Sequence, residues 1–195
     1  MDVSVLESVN GYAYRHAWYR DVSKLLATDG VLLVVAVRAI VFLAAGRFAS
    51  RDGRRGASAA GFAALLALGV GQIVSSAVDR ARPFVTHHDV HLLIHHAKDA
   101  GFPSDHATGS FAIAVALLVR HRAAGTVALV LAALIAVSRV AVGAHYPTDV
   151  LAGAALGAAA ALVLLAPPLR AVTDRVADVV AAVYERALAA VPRRA

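Results

Sequence analysis

Five stretches of this chain are apolar for close to a bilayer's width, and no other feature constrains its fold as much. They cover residues 29–48, 57–78, 106–119, 123–138 and 150–166. Crossing the hydrocarbon core takes ~20 mainly apolar residues in a helix. Helices and closed barrels are the folds that satisfy all backbone polar groups there. The third and fourth stretches are short and borrow flanking residues to span. Composition agrees, with 59% hydrophobic and only 16% charged residues among 195, and a mean hydropathy of +0.68. A soluble domain of this size carries more polar surface. The expected fold is all-α: a polytopic membrane helix bundle with about five transmembrane helices and an N-terminal interfacial helix.

The flanks read differently. Residues 1–24 mix Val5, Leu6, Val9, Tyr12 and Tyr14 with Glu7, Arg15, His16 and Arg20, followed by Trp18 and Tyr19. That mixture suits a helix lying in the interface, with the aromatic residues as a belt. After Pro167-Pro168 comes a second amphipathic stretch, an amphipathic cytoplasmic tail over 167–195 that lies on the membrane or extends into the cytosol. The chain reads as one domain over 1–195, with 25–166 as its transmembrane core, no repeat and no long linker. Four-residue spacing of small residues, as at Gly153 and Gly157, lets helix backbones approach closely. Cysteine is absent, so disulfide and thiolate chemistry are excluded. The start, Met1-Asp2-Val3-Ser4, lacks the marks of a cleaved secretory signal. A net charge of +6 on so apolar a chain reads as topology and contact with membrane lipids. Nucleic-acid binding would need a basic stripe in polar surroundings, and none is present.

Basic residues in short connections set the orientation. Arg47, Arg51, Arg54 and Arg55 join the first two spans, Arg120 and Arg122 join the third and fourth, and Arg170, Arg175, Arg193 and Arg194 lie in the tail. With five spans these regions share one side, expected to be cytoplasmic. Loops 79–105 and 139–149 then face the opposite, extracytoplasmic side. They carry Arg80, Arg82 and Arg139 against the usual bias, as cations that hold an anion would be.

Three polar clusters stand at those outer helix ends: Asp79 to Phe84, Gly101 to Gly109, and Ser138-Arg139 with His145 to Asp149. Pro103 and Pro147 suit first helical turns, whose free N–H groups and dipole favour anions. Ser104 adds a hydroxyl, and His106 points to the same anion. Asp149, four residues after His145, can fix the imidazole tautomer and leave the other nitrogen nucleophilic. Arg82 and Arg139 offer forked donors. Phosphoryl transfer needs mainly positioning and charge stabilisation, and this set supplies both without a metal or cofactor. Taken singly, each residue has an ordinary explanation: an interfacial histidine, a snorkelling arginine, a carboxylate favoured at a helix start. Their joint occurrence on one side points to function.

At these residues the sequence resembles the type 2 phosphatidic acid phosphatase superfamily. The family pattern Ser-Arg, five residues, His, three residues, Asp is matched by Ser138, Arg139, His145 and Asp149. Its Pro-Ser-Gly-His is matched by Pro103, Ser104 and His106, with Asp105 replacing glycine. Its Lys, six residues, Arg-Pro is matched only at Arg82 and Pro83, with Ser75 at the lysine position. The resemblance covers residues 57–166. It implies that His145 attacks phosphorus, Asp149 orients it, and His106 protonates the leaving oxygen and then activates water. Arg82, Arg139, Ser104 and the Asp105 backbone N–H would hold the phosphate, with Arg80 as the candidate substitute for the absent lysine. The Pro-Ser-Asp-His variant is similar to the bacterial undecaprenyl-diphosphatase branch. That implies a lipid diphosphate substrate, a polyprenyl diphosphate cleaved to its monophosphate in recycling of the cell-wall lipid carrier.

Alternatives stay open: a phosphatidate or phosphatidylglycerophosphate phosphatase, a lipid phosphotransferase, or a non-enzymatic lipid-binding membrane protein. His87, His91 and His95 have helical metal-ligand spacing, but a solvated loop or a pH-sensitive lid, with His88 and His96, is the plainer reading. Arg38, mid-way along the first span, faces the bundle or snorkels.

Overall fold

The computed structural model describes residues 2–47 and 51–189. Phe48, at the end of the first expected span, and Ala190, Arg193 and Arg194 of the tail lie outside the described residues. The described residues form eight helices and no strand. They are α1 (Asp2–Arg15), α2 (Ala17–Arg47), α3 (Arg51–Val78), the single turn α4 (Pro83–Thr86), α5 (Asp105–Arg120), α6 (Arg122–Ala141), α7 (Pro147–Leu165) and α8 (Pro167–Ala189). Four segments are long and apolar enough to cross a membrane: Ala17–Ala44, Asp52–Thr86, Arg122–Ala141 and Pro147–Leu165.

The remaining expected span, the third stretch at 106–119, is α5, whose 16 residues rise only ~24 Å. It packs against α2, α3, α6 and α7. Its Ala107, Ala112, Ala114, Ala116 and Leu117 are fully buried. Protein surrounds most of it, so its length need not match the bilayer. The contact with α7 is closest at the two small residues noted in the sequence. A Cβ on Gly153 would lie 2.6 Å from the Ser104 carbonyl oxygen, and one on Gly157 would run into the Thr108 carbonyl. Outward, Leu32, Ile40, Leu65, Ile73, Val130 and Leu162 are each more than half exposed. So much bare apolar surface is what lipid tails cover.

The sequence placed the boundary between interfacial helix and first span near residue 24, and the structure places it at His16. Residues 17–24 belong to α2, whose 31 residues rise ~46 Å, well beyond the hydrocarbon core. Helix α1 is a 14-residue piece that buries Leu6, Asn10 and Ala13 against α2, α6 and α7.

Helix α8 docks at the far end of the bundle, with three of its carboxylates paired to arginines of α3 and α5. Asp178 takes both forks of Arg55 at 2.9 and 2.7 Å. Asp174 pairs with Arg120, and Glu185 with Arg54. Val172, Val176, Val179 and Val183 face outward. The expected tail is thus tied to the arginine-rich end, opposite the three polar clusters.

Candidate active site

Two backbone features bring the clusters together. Asp79 adopts φ 41°, a left-handed conformation that aspartate tolerates better than most side chains. It ends α3 and turns the chain into the segment holding Arg80 and Arg82. Gly143 has φ 77°, and a Cβ there would meet the His91 carbonyl oxygen at 2.7 Å. This turn lets the N–H groups of Ala144 and His145 donate back to the Arg139 carbonyl at 3.1 and 3.3 Å, which sets the imidazole beside the arginine.

His145 is 2% exposed. Its Nδ1 lies 2.8 Å from the Gly101 carbonyl oxygen. A carbonyl only accepts, so Nδ1 carries the proton and Nε2 keeps its lone pair. Nε2 stands 3.0 Å from Arg82 Nη1 and 3.4 Å from Arg139 Nη2. Burial pushes the imidazole pKa down to about 4; Asp149 pulls it upward, and the charges of Arg139 and Arg82 reinforce the fall. The ring is therefore neutral at neutral pH, as a nucleophile must be.

Both arginines are pinned. Arg82 donates to Asp99 Oδ1 at 2.8 Å, to the Ala100 carbonyl at 3.2 Å and to the Ala144 carbonyl at 3.2 Å. Arg139 donates to the Ala27 carbonyl of α2 at 2.9 Å. Two buried polar atoms, Ser104 Oγ and Arg139 Nε, have no hydrogen-bond partner among the described residues. Such atoms are costly unless a ligand satisfies them. A cavity of about 430 Å³ opens here, lined by Arg82, Arg139, His145, His106, Asp105 and His96 among others. The two imidazoles at 106 and 145 thus face one space. Asp105 Oδ1 and Oδ2 accept from Gln72 at 3.3 and 3.2 Å.

Asp149 is fully buried. Its Oδ2 accepts from the Tyr146 N–H at 2.8 Å and its Oδ1 from Arg80 Nη1 at 2.7 Å. Oδ2 is 3.8 Å from His145 Nδ1, too far for a hydrogen bond. The tautomer is held by a backbone carbonyl, where the sequence pointed to the carboxylate. Arg80, read as a possible phosphate ligand, is turned away from the cavity. It also donates to Thr148 Oγ1 at 2.8 Å and to Asp2 Oδ2 at 2.9 Å, and lies 4.0 Å over the Tyr146 ring. Three acceptors and an aromatic face hold it behind the segment that carries His145.

The loop histidines are dispersed because residues 87–100 are irregular, so helical spacing does not apply. His91 stacks on Tyr14 at 3.8 Å, His87 meets Tyr146 edge-on at 5.9 Å, and His96 lies 6.4 Å from His145 between ring centroids. Among the described residues no three His, Asp or Glu side chains converge as a metal site. Sequence reasoning passed over Asn10. Its Nδ2 donates to the His91 and Ala141 carbonyls, and its Oδ1 accepts from the His91 N–H, all at 2.8 Å. A lone amide on the buried face of α1 was the available signal. Asp2, Asp99 and the Gly101 carbonyl were also missed.

Residues 56–170 match the family model described as the PAP2 superfamily. Undecaprenyl-diphosphatase BcrC of Bacillus subtilis (strain 168) is 34% identical over 151 residues, 77% of this chain and 76% of that one. The putative undecaprenyl-diphosphatase YbjG of Escherichia coli (strain K12) is 33% identical over 162 residues, 80% and 77% of the two chains. Among solved structures, the first transmembrane PAP2 type phosphatidylglycerolphosphate phosphatase from Bacillus subtilis is similar, with a TM-score of 0.55 and 26% identity over 83% of each chain.

Proposed function

The chain belongs to the PAP2 superfamily and is a multi-pass membrane lipid phosphatase, and on that premise we propose that it hydrolyses a polyprenyl diphosphate to the monophosphate through a phosphohistidine at the extracytoplasmic face. One observation carries the chemistry: a neutral His145 presents Nε2 between two arginines, beside buried donors that lack partners.

Nε2 attacks the terminal phosphorus as the bond to the bridging oxygen breaks. His106, across the same cavity, gives that oxygen its proton and the lipid monophosphate leaves. His106 then takes a proton from water, whose oxygen attacks the phosphohistidine. The P–N bond breaks, and inorganic phosphate is released. Arg82, Arg139, Ser104 and the Asp105 N–H at the start of α5 stabilise charge on the equatorial oxygens. Two undecaprenyl-diphosphatase relatives, each matched over three quarters of both chains, support the diphosphate reading. The concentration of Arg54, Arg55 and Arg120 at the opposite end of the bundle supports the outward site. The similar solved phosphatase favours phosphatidylglycerophosphate as a second reading.

The test uses the full chain in vesicles, with phosphate release measured from undecaprenyl diphosphate, phosphatidylglycerophosphate and phosphatidate. The first should turn over fastest, and His145→Ala should lower kcat by at least about 10³-fold. Preference for either phospholipid overturns the substrate; an active His145→Ala chain overturns the nucleophile.

A further inference from the structure

The buried carboxylate beside the nucleophile reaches the N-terminal helix through one cation. Arg80 donates from Nη1 to Asp149 Oδ1 at 2.7 Å and from Nη2 to Asp2 Oδ2 at 2.9 Å. Asp2 in turn holds the first turn of α7. Its Oδ2 accepts from Thr148 Oγ1 at 2.6 Å and its Oδ1 from the Thr148 N–H at 3.1 Å. Thr148 is the residue before Asp149, and Tyr146, under the guanidinium, is the residue after His145. One end of α1 therefore clamps the short segment that carries both the nucleophile and its carboxylate neighbour.

The physical need is clear. A fully buried carboxylate must be paired, and Arg80 is the one cation hydrogen-bonded to Asp149 among the described residues. A planar guanidinium is aimed by whatever holds both its forks, and Asp2 holds the second. Without the Asp2 charge, Arg80 keeps its Asp149 and Thr148 contacts on Nη1 and the Tyr146 ring beneath it, but Nη2 loses its carboxylate. The carboxylate 3.8 Å from His145 Nδ1 is then less firmly placed.

We propose that Asp2 is a positioning residue for the phosphatase reaction, acting through Arg80 on Asp149 and so on the His145 ring. This rests on the reading of His145 as nucleophile. Asp2 touches no reacting atom, so its loss should alter turnover rather than substrate binding. In vesicles with undecaprenyl diphosphate, Asp2→Asn should lower kcat about tenfold, the low end for residues that orient catalytic groups, while KM stays within about twofold. Asp2→Glu should recover part of the loss. In a double-mutant cycle, Asp2→Asn should cost clearly less once Arg80→Gln is present, because only its direct hold on Thr148 then remains to be lost.

A wild-type kcat for Asp2→Asn, or losses from Asp2 and Arg80 that multiply, overturns the proposal. Beside an inactive His145→Ala chain, that result sinks the positioning role alone; turnover by His145→Ala sinks the nucleophile itself. Should Asp2→Asn fail to accumulate, Thr148→Val interrogates the same clamp. It should lower kcat in the same direction at unchanged KM, and a wild-type kcat there also overturns the proposal.

Discussion

Replacing Gly153 by alanine should harm turnover more than it harms the fold. The added methyl would sit 2.6 Å from the Ser104 carbonyl oxygen and 2.9 Å from Thr108 Oγ1, where ordinary contact begins at 3.4 Å. Helix α5 must therefore retreat by about 0.8 Å at its first turn. The carbonyl cannot simply rotate aside, because it accepts from the Thr108 N–H at 2.8 Å and the Thr108 hydroxyl at 2.9 Å. Overpacking of this kind costs about 1–3 kcal/mol, offset by about 1 kcal/mol of improved helix propensity. The net loss of stability is thus roughly 0–2 kcal/mol. The same retreat carries Ser104 and His106 away from the phosphoryl position, and near an ångström of misplacement costs up to about 10²-fold in rate. Gly69→Ala is the comparator, since its Cβ would meet nothing within 4 Å. It should keep full activity and gain up to about 1 kcal/mol. Thermal melting in detergent and phosphate release read the two effects separately. A Gly153→Ala chain with wild-type kcat and a melting temperature matching Gly69→Ala would show that α5 and α7 are not held as argued.

The low pKa of His145, about 4, predicts that the acid limb of kcat/KM owing to this residue falls near pH 4 rather than 6.5, checked by a pH–rate profile of the vesicle-bound chain. The unfolded chain takes that proton near 6.5 and the folded chain near 4, so the unfolded state binds more protons between them. Stability should therefore decline as pH drops through that window, by about 3 kcal/mol from this residue, which acid titration of the melting temperature measures. Asn10→Ala removes three hydrogen bonds and strands the His91 N–H. It should destabilise the fold by about 1–3 kcal/mol and speed proteolytic nicking of loop 87–100.

What could be read from the letters was periodic, apolar or carried by a side chain at fixed spacing. The run Ser138, Arg139, His145, Asp149 needs only one turn to close on itself, so its parts stay together. Gly153 and Gly157 announce a close helix contact without naming the partner. Other features depended on groups that sequence does not display. The acceptor that sets the His145 tautomer is the Gly101 main-chain oxygen, and a carbonyl has no letter. The boundary at His16 was hidden because no proline or glycine breaks the chain there and both sides are helical. Arg80, two residues before Arg82, stood as the candidate substitute for the absent lysine; only the fold shows Asp149, Asp2 and Thr148 holding it. The docking of helix α8 could not be read from its amphipathic pattern, since its carboxylates answer to arginines more than 50 positions earlier in the chain.

The brevity of α5 has a consequence for how deep the chemistry sits. A helix of ~24 Å cannot bridge a hydrocarbon layer of ~30 Å. Gln72 of α3 bonds Asp105 at the start of α5 while α3 runs on to Val78, so the first turn of α5, with His106, stops about 9 Å short of its neighbour's end. On the proposed outward orientation, a lipid in the outer leaflet carries its polar head near that depth. Such a molecule can slide sideways until its phosphates enter the basin, and the hydrocarbon chain never has to leave oil for water.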